Sequence, residues 1–460
     1  MKHIIIILLV AFSLSFLNAA PRKNILLIMA DDFNYWNGIN GYYPQAKTPN
    51  VDALARKGVL FNNAHSPSPV CNPSRNAMWS GVSPMVSGID TNAGLVFIRE
   101  VEGFEDTVTL NQYFKDQGYY VYGGGKLWHP GSMKKDEPKV DPEHWTEINE
   151  VRTGSRGGST HKYQSEVRDL MAWSAGPKLS EDTSGDYKLT MDVVRFLQNY
   201  KKKAKDDQPF FIGCGLFRPH LPWNSPIEFW EKFDRKDISI PAGWHDKDMV
   251  NATKDFAEIV QKKKWQEGIH AYLAASALAD HNVGVLMDAL EKSPYRDNTI
   301  VLFMGDHGWQ LGEKARFGKY ATWEAANHTT LIIYDPSAED NGKICEKVVN
   351  LQDIYPTLIE LTSSPEKKDL SGDSLAPLLD DVDDPDWTRP MVFQYVGTRY
   401  IQVGKKWRFI ENKDESELYD IENDPYEHIN LYGNPEYKST VGKLRKAMAN
   451  YIARDAARFE

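Results

Sequence analysis

With 460 residues, 41% of them hydrophobic and 26% charged, the chain is long enough for a large buried core, and length alone suggests two or three domains. Its formal net charge of −10 argues against nucleic acid as a partner, because neutralising phosphates takes a basic surface. The three cysteines, Cys71, Cys214 and Cys345, make no disulfide framework, although a Cys214–Cys345 bridge stays open.

The chain begins Met1-Lys2-His3, runs apolar from Ile4 to Leu17 and reaches Asn18-Ala19-Ala20. A positive start, a short apolar run and small residues predict a secretory signal peptide over residues 1–20, hence a secreted or periplasmic protein. The run is too short for a comfortable bilayer span, and no second apolar stretch follows, so no membrane span is expected. Asn24 to Ala30 reads as a strand covered on both faces, and it ends in Asp31-Asp32. Thr48-Pro49 opens a short helix closed by Gly58, and Val59-Leu60-Phe61 leads on.

Next comes Val70-Cys71-Asn72-Pro73-Ser74-Arg75. Pro73 suits the first turn of a helix, which puts Cys71 at a solvent-facing junction just ahead of a helix N-terminus, where the macrodipole favours negative charge. Arg75, four residues on, returns to the same face with a guanidinium able to fork onto an oxyanion. Helical periodicity from Thr107 to Gln117 gives way to a strand at Tyr119–Tyr122, then to Gly123-Gly124-Gly125-Lys126-Leu127-Trp128-His129-Pro130. Tyr187 to Tyr200 reads as a helix and Phe210 to Phe217 as a strand, followed by Arg218-Pro219-His220. Cys214 within that strand reads as a core thiol. A long helix from about Gly268 to Leu290 precedes the strand Thr299–Met304, which Gly305-Asp306-His307-Gly308 follows at once. Thr330–Tyr334 is a further buried strand and Leu351–Leu361 a further helix.

Apolar strands alternating with helices predict a doubly wound α/β sheet, in which ligands bind beyond the carboxyl ends of the strands. Four strands place polar groups there: Asp31-Asp32, Lys126 with His129, His220, and Asp306-His307. After about Asp380 the texture becomes short alternating strands, and an amphipathic helix runs from Tyr437. The predicted organisation is a signal peptide at 1–20, a catalytic domain at 21–380 and a smaller α+β subdomain at 381–460. Asp31, Asp32 and Asp306 offer hard oxygen ligands suited to calcium or magnesium, and His307 adds either a nitrogen ligand or a hydrogen bond to a bound anion.

Cys71, Pro73, Ser74, Arg75 and Gly81 match the signature of the type I sulfatases, and the chain resembles that family from Asn24 to about Leu431. Trp79 and Ser80 stand where the family usually has leucine and threonine, and Thr330 where it has proline. The stretches Gly125-Lys126-Leu127-Trp128-His129-Pro130-Gly131, Arg218-Pro219-His220-Leu221-Pro222 and Asp306-His307-Gly308-Trp309-Gln310-Leu311-Gly312-Glu313 resemble the iduronate-2-sulfatase group within it.

The resemblance implies a mixed sheet of alkaline phosphatase-like type. It also implies a Cys71 oxidised to formylglycine by a formylglycine-generating or anaerobic maturation enzyme. Asp31, Asp32, Asp306, His307 and the modified Cys71 would hold one divalent cation, calcium or else magnesium. Gly318-Lys319-Tyr320 matches the family's active-site lysine segment, and Lys126, His129 and His220 are the remaining active-site cations by the same matching. In the implied mechanism the hydrated aldehyde at Cys71 attacks sulfur while the metal and Arg75 hold it. Lys126, Lys319 and His220 would bind the sulfate, His220 acting as acid for the departing alcohol, and His129 would take the proton that releases sulfate.

The expected substrate is a sulfated glycan, cleaved from its end and resembling a uronate 2-sulfate. Arg218 would pair with a sugar carboxylate, and Trp128, Trp223, Trp309 and Tyr320 could stack on the ring. Two rival readings are a phosphonate or phosphodiester hydrolase of the same superfamily and an unmatured homologue that only binds glycans.

Overall fold

Residues Asn24–Ala30 form a strand (β1) with every residue buried, and its alternating side chains feed two cores. Ile25, Leu27 and Met29 pack on one face of the sheet with Trp79, Phe114 and Leu358. Leu26, Ile28 and Ala30 pack on the other with Leu189, Val193 and Leu286. The structure, a computed structural model, describes residues 22–129, 144–151, 153, 172–205, 207–240, 252–412 and 415–460. The expected signal peptide lies outside the described residues, as do Pro130 and Gly131.

The other strands of the main sheet are β2 (Val59–Phe61), β3 (Tyr120–Gly125), β4 (Glu147–Asn149), β5 (Phe210–Leu216), β6 (Thr299–Gly305), β7 (Leu331–Tyr334) and β8 (Ile344–Cys345). Their spatial order is β8-β2-β7-β6-β1-β5-β3-β4. β1 runs parallel to both β5 and β6, and β3 runs parallel to β5, so four carboxyl ends share one edge. β7 is antiparallel to β6 and to β2, which makes the sheet mixed. Helices α1 (Pro49–Ala55), α4 (Gly185–Lys203) and α5 (Trp265–Glu291) contribute to one core. Helices α2 (Cys71–Ser80), α3 (Leu110–Asp116) and α6 (Ile354–Leu361) contribute to the other. This is the doubly wound arrangement the sequence predicts.

The C-terminal subdomain is an antiparallel sheet of β9 (Met391–Tyr395), β10 (Thr398–Val403), β11 (Trp407–Glu411) and β12 (Glu417–Asp420). Val392, Ile401, Phe409 and Leu418 meet Val441, Leu444 and Met448 of helix α7 (Lys438–Ala456). Met391, Phe393, Tyr400, Ile410 and Tyr419 form the opposite face, against Val348. Among the described residues no helix is long and apolar enough to cross a membrane. Cys71, Cys214 and Cys345 are all buried free thiols, so the bridge left open by the sequence is not made.

Two glycines fix the approach to the sheet's carboxyl edge. Gly81 ends α2 in the left-handed region at φ 73°, a conformation glycine adopts without steric cost. Gly305, the last residue of β6, passes so close to the chain after β1 that a Cβ would lie 1.9 Å from the Phe33 carbonyl oxygen. Gly305→Ala is therefore expected to destabilise the fold by about 1–3 kcal/mol, because backbone has to move. Chemical denaturation checks this, and an unchanged midpoint would contradict the packing described.

Candidate active site

Each strand that ends at the shared edge turns at once into a polar loop, so polar groups distant in sequence converge. Asp32, directly after β1, sits at φ 62°, a conformation uncommon outside glycine. Its turn is held by neighbours. The Asp32 backbone N–H donates to Asp306 Oδ1 at 3.0 Å, and Tyr272 Oη of α5 donates to the Asp32 carbonyl at 2.9 Å. Tyr272 was not foreseen, and no sequence signal marks it: it occupies an ordinary inward position of a long buried helix.

Cys71 is the first residue of α2 rather than the residue before it, and it is 1% exposed. The expected solvent-facing junction is thus corrected: all ten residues of α2 are buried, because the helix runs between the sheet and α6 instead of over the surface. Lys319 Nζ lies 2.9 Å from Cys71 Sγ, His307 Nε2 3.3 Å and Lys126 Nζ 3.8 Å, and Asp31 Oδ1 is 3.5 Å away. Burial pushes the thiol up to about 12 despite the pull of Lys319. The helix N-terminus does not deliver a thiolate here.

The carboxylates are braced by cations. Arg75 Nε donates to Asp306 Oδ2 at 2.8 Å, and its Nη2 lies 3.4 Å from Asp31 Oδ1. Arg75 Nη1 also donates to the carbonyls of Lys126 and Leu127. The guanidinium thus holds the acids and the β3 loop in register. Lys126 pairs with Asp31, and Lys319 Nζ reaches Asp32 Oδ1 at 2.6 Å. Burial raises the Asp32 carboxyl to about 6 against the pull of Lys319. Burial would do the same to Asp306, yet Arg75, His307 and Lys319 together hold it well below the carboxylate range.

Two of the three histidines at the edge have a fixed tautomer. His307 Nδ1 lies 2.8 Å from the Gly308 carbonyl, which can only accept, so Nδ1 carries the proton and Nε2 presents a lone pair to the cluster. Burial lowers its pKa to about 3. His220 Nδ1 likewise donates to the Leu221 carbonyl, and its Nε2 faces Asp32 Oδ2 at 4.0 Å. Burial, then Lys126 and Lys319, hold His220 well below its usual value. His129 is partly buried, and burial followed by the charges of Lys126 and Arg75 lowers it to about 3.

Three expected substrate contacts are placed differently from one another. Arg218 is 1% exposed, and its guanidinium donates to the carbonyls of Asn224 and His220 at 2.9 Å each. Through these contacts it shapes the loop that carries His220. Trp309 is 4% exposed, packs edge-on against Trp223 and lies under Lys319 Nζ, 5.6 Å from its ring centroid. It is a floor beneath the lysine, not a stacking surface. Tyr320 is 48% exposed beside Lys319, with the Tyr395 ring 6.5 Å away.

The acids fit a hard divalent cation. Donor atoms of Asp31, Cys71, Asp306 and His307 lie within 4.8 Å of one another. Asp32 Oδ2 is a fully buried carboxylate oxygen with no hydrogen-bond partner among the described residues, a costly state that a cation relieves.

Residues 23–364 match the family model described as sulfatase, and residues 312–454 match that described as N-sulphoglucosamine sulphohydrolase, C-terminal. A sulfatase of Formosa agariphila is 31% identical over 444 residues, covering 92% of this chain and 86% of its own length. The iduronate 2-sulfatase of Mus musculus is 28% identical over 400 residues, covering 76% of this chain and 70% of its own. The crystal structure of a phosphonate monoester hydrolase of Agrobacterium radiobacter superposes with a TM-score of 0.74 at 20% identity, covering 94% of this chain and 96% of that one. That last likeness concerns the fold alone.

Proposed function

Because the chain belongs to the sulfatase family and is a sulfuric ester hydrolase, we propose that it acts on sulfated carbohydrate at Cys71 once that residue is oxidised to formylglycine. The observation that carries this reading is the setting of Cys71 Sγ, between two ammonium groups and against the carboxylate cluster. Formylglycine supplies a hydrated aldehyde as nucleophile, and a divalent cation held by Asp31, Asp32, Asp306, His307 and position 71 supplies positive charge at the sulfuryl oxygens. A formylglycine-generating or anaerobic maturation enzyme is then a required partner.

The chain's own residues do the rest. Lys126 and Lys319 flank position 71 and hold anionic ester oxygens in a buried site, where such contacts are strongest. Arg75 keeps Asp31 and Asp306 at their separation. His220 handles the leaving-group proton at Nε2, since its Nδ1 is committed to Leu221. An anionic ester beside Lys126 and Lys319 offsets two of the charges that hold this imidazole neutral. His129, held neutral by burial and by Lys126, accepts the proton whose loss releases sulfate.

The substrate is a terminal sulfated sugar, with a uronate 2-sulfate as the first candidate. Supporting this are the iduronate 2-sulfatase among its relatives and the exposed Tyr320 ring at the mouth, with Tyr395 beside it. The signal-like N-terminal sequence supports export to the periplasm or beyond. Defined sulfated mono- and oligosaccharides assayed against an aryl sulfate test the substrate class, and the carbohydrate esters are expected to turn over faster. Faster hydrolysis of the aryl ester than of every sugar tested overturns the carbohydrate reading. A second reading, hydrolysis of phosphonate monoesters, draws on the fold shared with the Agrobacterium radiobacter enzyme. Sulfate and phosphonate esters of one alcohol separate the two.

A further inference from the structure

Away from the carboxyl edge, a second cluster of buried donors joins the catalytic domain to the C-terminal subdomain. His65 and His328 are directly opposite each other in the antiparallel pairing of Ala64–His65 with His328–Thr329. Glu324 lies one helical turn before His328. His65 Nε2 is 2.9 Å from Glu324 Oε1, and His328 Nδ1 is 3.2 Å from the same oxygen. One donor atom from each of the three lies within 4.8 Å of the others. His65 is fully buried and His328 is 5% exposed.

Proton positions make this convergence unusual. His328 Nε2 is 2.9 Å from the Asn62 carbonyl, which can only accept, so the N–H is on Nε2. Unless the ring carries a second proton, Nδ1 aims a lone pair at a carboxylate oxygen, and the two repel without positive charge between them. Among the described residues His65 Nδ1 is buried without a hydrogen-bond partner, and Nε2 makes the ring's contact with Glu324, 2.9 Å from Oε1 and 3.1 Å from Oε2. Arg408 of β11 grips the other Glu324 oxygen, Oε2, and its Nε lies 3.4 Å from Glu427 Oε1. An imidazole whose far nitrogen donates to a backbone carbonyl, beside a carboxylate braced by a cation, is the outer arrangement that metal ligands have.

We propose that His65 Nε2, Glu324 Oε1 and His328 Nδ1 bind a first-row divalent transition metal of the zinc class. Separations of 2.9 and 3.2 Å from the carboxylate oxygen to the two ring nitrogens are spanned by ligands about 2.0–2.2 Å from one ion at angles of roughly 80–106°, narrower than a tetrahedron and open to further ligands. Two imidazole nitrogens favour such a metal over the calcium or magnesium that carboxylates and carbonyls select. The ion sits beside the subdomain: His65, Glu324 and His328 all belong to the catalytic domain, while Arg408, which holds Glu324, comes from the C-terminal sheet. This site is independent of the proposed catalytic cation.

The test uses the full chain, stripped of metal and resaturated with calcium, then titrated with Co2+ and followed by its visible absorption bands. One equivalent of Co2+ is expected to give bands, to be displaced by Zn2+ and to raise the melting midpoint. The bands should persist in Asp306→Asn and vanish in His65→Phe, whose ring suits a position 5.5 Å from the Phe393 ring. Absence of bands in the calcium-loaded protein, or their loss in Asp306→Asn and survival in His65→Phe, overturns the proposal. Should His65→Phe not fold, X-ray absorption of the zinc-loaded wild-type protein decides. A shell with two imidazoles supports the site. One imidazole or none overturns it, leaving a protonated His328 to satisfy Glu324.

Discussion

Cys71→Ala is expected to lower sulfate ester hydrolysis by about 10³-fold or more, the scale on which removing a covalent nucleophile acts. The thiol's own reactivity plays no part in this expectation. Burial pushes that thiol up to about 12, so at neutral pH it is protonated and a poor nucleophile as it stands. What the site offers at position 71 is a ring of preorganised polar groups: the charged Lys319, Lys126 and Asp31 with the neutral His307. Alanine keeps that ring and deletes the sulfur whose oxidative loss turns Cβ into the aldehyde carbon. Replacing one sulfur in a polar setting should change stability by no more than about 1–2 kcal/mol, so the variant should fold. Turnover is measured alongside the mass of the tryptic peptide spanning residues 58–75, which falls by a fixed decrement when thiol becomes aldehyde. Wild-type turnover in a pure alanine variant would sink the covalent mechanism.

Chelation is expected to reduce activity and calcium or magnesium to restore it, while Asp306→Asn should cost about 10²-fold or more that no added metal recovers. Asp306 carries several duties at once. It accepts from Arg75 Nε at 2.8 Å and from the Asp32 backbone at 3.0 Å, and His307 Nε2 lies 3.5 Å away. Asparagine preserves the shape but removes the charge that faces a fully buried guanidinium. Leaving Arg75 with Asp31 alone at 3.4 Å should destabilise the fold by about 3–5 kcal/mol. Metal bound to the native state alone adds stability by mass action, so wild-type protein should melt lower after chelation. Full activity in thoroughly stripped protein would mean that the acids serve some other purpose.

Most of this cluster was legible because burial leaves a plain mark on a sequence. A strand such as Asn24–Ala30, apolar almost throughout, announces its covered faces, and the first charged residue after it must lie at its carboxyl end. Asp31, Asp32, Lys126, His220, Asp306 and His307 were all found in that way. Direction was not legible. Arg218 stands two residues from His220, yet its guanidinium turns to Asn224 and the His220 carbonyl, which no spacing encodes. Trp309 follows His307 closely but fills the floor under Lys319. Cys71 looked like a surface junction because α2 is short and mostly polar; that it is covered on every side depends on α6, far along the chain. The His65–His328 pairing was invisible for a related reason. It rests on strands two residues long, too short to leave any periodicity.

The distance along the chain between Cys71 and its nearest cation has a kinetic meaning during synthesis. Lys319 is 248 residues downstream of Cys71. At about 5–20 residues per second, a ribosome needs roughly 12–50 seconds to make that interval. For all of that time β6 and the lysine loop are still being made, and the pocket that encloses the thiol has no far wall. A modifying enzyme that reads an extended segment around Cys71 therefore meets it on the nascent chain in a form the finished fold withdraws.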